Sequence, residues 1–183
     1  MKKLTYDEIA TQRFSSEQLK HEIRFPIYAI IENMRSAYNV GSVFRSSDGA
    51  RIKKLFLCGT TPYPPHNDVE KTALGSTLTV PWEYSERSID VATRLKSQGV
   101  SLCIVEHTNK SIPYYCLTKK NFPLCLIIGN EISGVSNELI ASADFAIEIP
   151  MYGMKQSLNA ANAYSIVAFD ALRVWKESSG KEI

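Results

Sequence analysis

Leu124-Cys125-Leu126-Ile127-Ile128-Gly129-Asn130-Glu131-Ile132-Ser133-Gly134 is the stretch that decides the fold. Its apolar run has no polar alternation and ends on a glycine, as expected of a parallel strand covered by helices on both faces. Similar runs occur at Ile27–Ile31, Lys54–Gly59, Ser101–Val105 and Phe145–Met151. Between them lie helix-like segments at Val40–Asp48, Ser88–Ser97 and Ser136–Ala141, and a long one follows from about Ser157 to Lys176. This alternation predicts an α/β three-layer sandwich with a mostly parallel sheet. No internal repeat or linker divides residues 26–183, which read as one domain. Residues 1–25 are polar and charged, and Ser15-x-x-Gln18 fits a capping box, so they read as an appended helical arm.

Composition narrows the possible functions. A chain of 183 residues, 44% hydrophobic and 22% charged, has enough material for one well-packed core. A net charge of +2 gives no global attraction for nucleic acid, so any RNA-binding face must be a local patch. Arg51, Lys53 and Lys54 cluster near Arg45, and Lys71, Lys119, Lys120 and Lys155 could extend such a face; solvated surface explains them equally well. Cys58, Cys103, Cys116 and Cys125 form no C-x-x-C pair, and three of them sit in apolar runs. Reduced thiols used as core hydrophobes imply a cytoplasmic setting. His21, His66 and His107 have no metal-ligand spacing, so no metal is expected. No apolar stretch approaches the roughly 20 residues of a membrane span, and Met1-Lys2-Lys3 opens a polar segment rather than a signal sequence. Pro62-Tyr63-Pro64-Pro65-His66-Asn67 reads as a rigid, turn-rich loop, with substrate contact as the other reading.

In α/β sheets, ligands collect beyond the carboxyl ends of the strands. Gly129, Ile149-Pro150-Met151 and Val105-Glu106-His107-Thr108 all fall there. The Gly129–Gly134 stretch is not G-x-G-x-x-G, and Glu131 would repel a pyrophosphate. A cationic or neutral cofactor fits better, and S-adenosylmethionine meets that description. Ordinary strand-exit and turn chemistry accounts for the two glycines as well.

Four segments in fixed order carry a resemblance. Asn39-Val40-Gly41-Ser42-Val43-Phe44-Arg45, Gly129–Gly134, Ile149-Pro150-Met151 and Ser157-Leu158-Asn159 resemble the signature motifs of the SpoU-type RNA 2′-O-ribose methyltransferases of the SPOUT superfamily. The resemblance covers roughly Ile27 to Lys176. It implies a C-terminal trefoil knot whose loops clasp S-adenosylmethionine. The implied cofactor residues are Thr108, Gly129, Asn130, Glu131, Gly134, Ile149, Met151, Ser157 and Leu158, with backbone groups of Gly129, Ile149 and Leu158 foremost. Ser157 would face the ligand or cap the last helix. The implied catalytic set is Arg45, Asn39, Glu131, Asn159 and Ser157. Family accounts that make the arginine a base conflict with its permanent charge. Gripping the phosphate beside the target ribose suits Arg45 better. Glu131 would take the proton through a water or fix Arg45, and Asn159 would orient substrate or loop.

Two departures from the family pattern stand out: Asn130 where proline is common, and Ala160-Ala161-Asn162 for a usual Val-Ser-Val run. The implied reaction is methylation of a ribose 2′-hydroxyl in structured RNA, tRNA first and rRNA next. A non-catalytic RNA-binding protein of the same fold is the rival. The family also implies a homodimer through the last helix and the first motif's helix, setting Arg45 near the partner's cofactor loops. Ala160, Tyr164, Val167, Ala168, Ala171, Leu172 and Trp175 form an apolar band that fits such an interface or the helix's own core.

Overall fold

Successive side chains of a strand point to opposite faces, so an unbroken apolar run must be covered on both sides. That is what a computed structural model, which describes residues 1–179, shows. In β1 (Phe25–Glu32), Ile27, Ala29 and Ile31 face one helical layer and Ile30 the other. The chain continues through α3 (Ala37–Gly49), β2 (Ile52–Cys58), α4 (Asn67–Ala73), β3 (Trp82–Ser85), α5 (Ser88–Ser97) and β4 (Ser101–Val105). It then forms β5 (Ile112–Pro113), β6 (Leu124–Ile128), α6 (Asn137–Ser142), β7 (Phe145–Glu148) and α7 (Ala160–Ser179). Ahead of β1 come two short helices, α1 (Tyr6–Ala10) and α2 (Ser16–His21).

The seven strands are all parallel in the order β3-β2-β1-β6-β4-β7-β5. β6 lies between β1 and β4, with Ile27 beside Leu124 and Ile31 beside Ile128. Leu124, Leu126 and Ile128 pack with residues of α3, α4 and α7, whereas Cys125 and Ile127 pack with those of α5 and α6. The three-layer sandwich is therefore as the patterning predicts. Cys58, Cys103 and Cys125 are buried thiols within it. At the end of β1 the buried Glu32 carboxylate accepts from the Ser88 hydroxyl (2.5 Å) and from the Ser136 N–H and hydroxyl (both 2.8 Å), tying β1 to α5 and α6. Among the described residues no helix is long and apolar enough to cross a membrane.

Several boundaries differ from the sequence expectation. β7 stops at Glu148 rather than Met151, and Pro150, which has no N–H, cannot continue a ladder. β3 and β5 were not expected, because they are short edge strands carrying Glu83, Ser85 and Pro113 rather than an apolar run. α7 starts at Ala160, three residues after Ser157. The apolar band on α7 belongs to its own subunit: Tyr164, Val167, Ala168 and Ala171 are fully buried, and Leu172 packs against the same core. Ile166 and Phe169 on that helix remain exposed.

The arm has the expected capping box at Ser15 and Gln18 and a second at Thr5 and Glu8. Arg51 lies over the rings of Phe14 (5.5 Å) and Phe25 (4.7 Å) and pairs with Glu22 at 3.4 Å. Lys54 pairs with Glu83 at 2.7 Å and Lys71 with Asp68 at 2.8 Å. Much of the expected basic patch is thus already compensated by carboxylates or spent on holding the arm.

Candidate functional site

β4, β6 and β7 end side by side, and the loops that leave them enclose a cleft of about 320 Å³. The loop after β6 is built by Asn130. Its amide donates to the Asn33 carbonyl (2.8 Å), and its side-chain oxygen accepts from the N–H groups of Ile132 (2.8 Å) and Ser133 (3.1 Å). The Asn130 and Gly134 backbones exchange two further bonds, both 3.0 Å. This Asx turn does by hydrogen bonding what a proline would do by covalent restraint. Closing the loop brings Gly129 against the backbone of Gly134 and Val135, where any Cβ would overlap. Gly134 has φ +69°, and a Cβ there would strike the Glu106 carboxylate. Both glycines are therefore required by the loop's own closure. A valine at Gly129 would break that closure.

The turn points Glu131 at the start of α3. Its carboxylate accepts from the N–H groups of Arg35 (2.8 Å) and Ser36 (3.1 Å) and from the Asn39 amide (2.8 Å). A negative charge at a helix N-terminus is favourable. Partial burial works against ionisation of Glu131. Donation from the Arg35 N–H, with Asn39 and Ser36, outweighs it and holds the carboxyl below its ordinary value. The Asn39 oxygen in turn accepts from the Asn159 amide at 3.0 Å. The remaining Asn159 oxygen accepts from the N–H groups of Ala161 (3.0 Å) and Asn162 (3.3 Å), capping α7. Three sequence segments about ninety and thirty residues apart are thereby joined in one chain: Glu131, Asn39, Asn159. The cap of α7 is Asn159, so the expected capping role of Ser157 does not hold.

The cleft lining contains Gly129, Asn130, Glu131, Gly134, Ile149, Met151, Ser157 and Leu158, all expected from the sequence, together with Asn159. Thr108 is not in it; its hydroxyl accepts from the Lys110 N–H within its own loop. Asn39 stands one hydrogen bond away. Arg45 is exposed on α3 and outside the lining, with no hydrogen-bond or ion-pair partner among the described residues. Six residues past Asn39 means roughly 9 Å of rise and most of two turns, which puts it on another side of the helix. Glu131 meets Asn39 and the N–H of Arg35, and so does not fix Arg45.

Glu106, His107 and Glu148 also line the cleft, and the sequence singles out none of them individually, although the first two follow directly on β4. Glu106 accepts from the N–H groups of His107 (2.9 Å) and Val135 (3.3 Å). Glu148 accepts from the Ser111 hydroxyl (2.5 Å) and faces His107 Nδ1 (3.3 Å); Ser111 first and His107 after it hold its carboxyl below the ordinary value. The lining thus carries three carboxylates and neither lysine nor arginine, beside the apolar walls of Ile128, Ile149, Leu158 and Ala163. Such a cleft repels phosphate and suits a ligand that joins positive charge to a flat apolar ring. Among the described residues no group of three or more His, Cys, Asp or Glu is placed to hold a metal ion.

The chain is 28% identical over 152 residues to the tRNA (guanosine(18)-2′-O)-methyltransferase of Aquifex aeolicus, covering 80% of this chain and 68% of that protein. It is 26% identical to the same-named enzyme of Escherichia coli K12, of which it spans 61%, so the match spans about two thirds of the length of these curated relatives. Its fold superposes on the AdoMet-bound rRNA methyltransferase from Sinorhizobium meliloti with a TM-score of 0.76 at 25% identity, covering 92% of this chain and 70% of that one. The model of the SpoU rRNA Methylase family matches residues 26–169, a span that holds all four signature segments and every residue of the Glu131–Asn39–Asn159 chain. This chain belongs to the SpoU rRNA methylase family.

Proposed function

We propose that the protein methylates a ribose 2′-hydroxyl in RNA with S-adenosylmethionine as donor, with tRNA the first choice of substrate and rRNA the second. The observation that carries this is the cleft at the ends of β4, β6 and β7, acidic and apolar at once and joined through Glu131 to the helix bearing Arg45. S-adenosylmethionine supplies an electrophilic methyl group on a sulfonium. Backbone groups of Gly129, Ile149 and Leu158 would hold it, the Ile128, Ile149 and Leu158 walls would take the adenine, and Glu106, Glu131 and Glu148 supply the negative potential a sulfonium and ammonium need. Thr108 acts on the loop rather than on the ligand.

The residues then divide the work. Glu131 is a structural anion: three donors at the start of α3 bind its carboxylate, and anchoring that helix is its role. Asn39 and Asn159 lock α3 and α7 against the cleft loops. Arg45, exposed and without a partner among the described residues, grips the RNA phosphate and steadies the developing oxyanion. It does so in a homodimer, reaching the cleft of the other protomer. Ile166 and Phe169, exposed on α7 beside α3, support that pairing. Orientation of the hydroxyl and the donor in line supplies much of the rate.

The segment after β7 returns past the ends of β4 and β6 before α7 packs on β1, β6 and α3; this path supports a trefoil knot. Residues 1–25 serve as an arm on a methyltransferase domain of 26–183, and the setting is cytoplasmic. The rival, a non-catalytic RNA binder, is not favoured, since Glu131, Asn39 and Asn159 are joined at the cleft and Arg45 is present on α3. Incubation with labelled S-adenosylmethionine and total tRNA or rRNA, followed by nuclease mapping, should place label on a ribose. Label on a base, or none with either RNA, refutes the reading. Light scattering should report a dimer, and mixing Arg45→Ala with Gly129→Val subunits should restore part of the activity; a monomer refutes the shared site.

A further inference from the structure

His107 stands at the mouth of the cleft with an acceptor opposite each ring nitrogen. Nδ1 lies 3.3 Å from the Glu148 carboxylate and Nε2 lies 3.1 Å from the Gln156 carbonyl. A neutral imidazole has one N–H and can satisfy only one of them, while the imidazolium donates to both. Gln156 belongs to the 149–158 segment that covers the cleft, and His107 to the loop after β4. The ring is therefore a cross-link between two walls, and its strength depends on its protonation.

Glu148 faces the ring from the end of β7, and Glu106 lies beside it in its own loop. Glu131 lines the same cleft. The positive side chains on the two bridged segments are Lys110 and Lys155, both exposed. We propose that His107 is a positioning residue whose doubly protonated ring clasps the 149–158 segment across the cofactor cleft, so that cofactor retention is linked to pH. This rests on the cleft being the cofactor site. Protonation closes the clasp; loss of a proton frees either the Glu148 or the Gln156 contact and loosens the segment.

The test has two arms, each run on wild type and His107→Gln, whose amide does not titrate. In the first, calorimetry measures S-adenosylhomocysteine affinity at several pH values, and the ratio to the variant cancels titration of the ligand. Because the ring is half-exposed, wild-type affinity should fall only about three- to fivefold relative to the variant between about pH 6 and about pH 8. In the second, cofactor-free protein is treated briefly with trypsin and the cut after Lys155 is followed by mass spectrometry. Relative to the variant at each pH, that cut should accelerate by a similar factor across the same range, because cleavage tracks the open population.

Glu148→Gln is the second variant, should His107→Gln fail to fold. Its amide can match a neutral ring, so its pH dependence should also collapse. Parallel pH profiles for wild type and variant in both arms overturn the clasp. Absence of ligand binding at every pH instead overturns the cofactor reading, and the trypsin arm then decides the clasp alone.

Discussion

Replacing Glu131 by glutamine keeps the shape of the side chain and removes one of its two acceptor oxygens. The wild-type carboxylate takes three donors, the N–H groups of Arg35 and Ser36 and the Asn39 amide. A glutamine would set a donor against one of them. Asn39 cannot flip to compensate, because its oxygen accepts from Asn159, and the Asn159 oxygen is committed to capping α7. The charge on Glu131 thus fixes the sense of the whole chain. A buried site would lose 1.5 to 3 kcal/mol per charged hydrogen bond, but water reaches this one, so the net loss should be about 1 kcal/mol. In a chain of this size that lowers Tm by roughly 2–4 °C.

The pH dependence gives a sharper check. The folded carboxyl titrates below its unfolded value, so its contribution is fully present above about pH 4.3 and fades as pH falls through the lower folded value. Urea unfolding of both proteins should show a gap that is constant near neutrality and closes in acid. S-adenosylhomocysteine affinity should fall with it, because the loop that carries Glu131 also lines the cleft. Equal Tm values with an unchanged acid limb would refute the claim that Glu131 is the anion holding α3.

Arg45→Ala should leave S-adenosylhomocysteine affinity within about twofold in calorimetry while methyl transfer drops on the order of a hundredfold, as for loss of one oxyanion donor. Gly134→Ala forces a Cβ against Glu106 at a left-handed position; urea unfolding should register about 1–2 kcal/mol of destabilisation, with weakened ligand binding. Tyr164→Phe removes the buried 2.7 Å bond to Ser47 that joins α7 to α3, and should cost about 1–3 kcal/mol. Adding Ser47→Ala should return part of that loss, since the orphaned hydroxyl goes with it.

Much of the framework was legible because burial on both faces leaves a mark on the chain itself. β1, β2, β4, β6 and β7 are the strands whose neighbours cover them, and each showed as an apolar run. β3 and β5 lie at the edges, where half-exposed positions accept polar residues and the signal is lost. Among site residues, glycines and the Asn and Glu of the signature segments were visible through their types and order. Glu106, His107 and Glu148 were not, because a charged side chain just past a strand looks the same whether it faces a cleft or water.

The layer architecture, the loop glycines and the four signature segments can be read from the chain alone, since these depend on local patterning and residue type. Tertiary structure decided which side chains meet. Only folding brings Glu131 to Asn39 and Asn39 to Asn159, and only folding leaves Arg45 outside the cleft of its own chain. It also spends Tyr164, Val167, Ala168 and Ala171 on the core while Ile166 and Phe169 stay exposed. A hydrogen bond or a buried contact belongs to a pair, and the pairing here is set by strand order: β6 inserts between β1 and β4, and α7 returns from β7 to lie against α3.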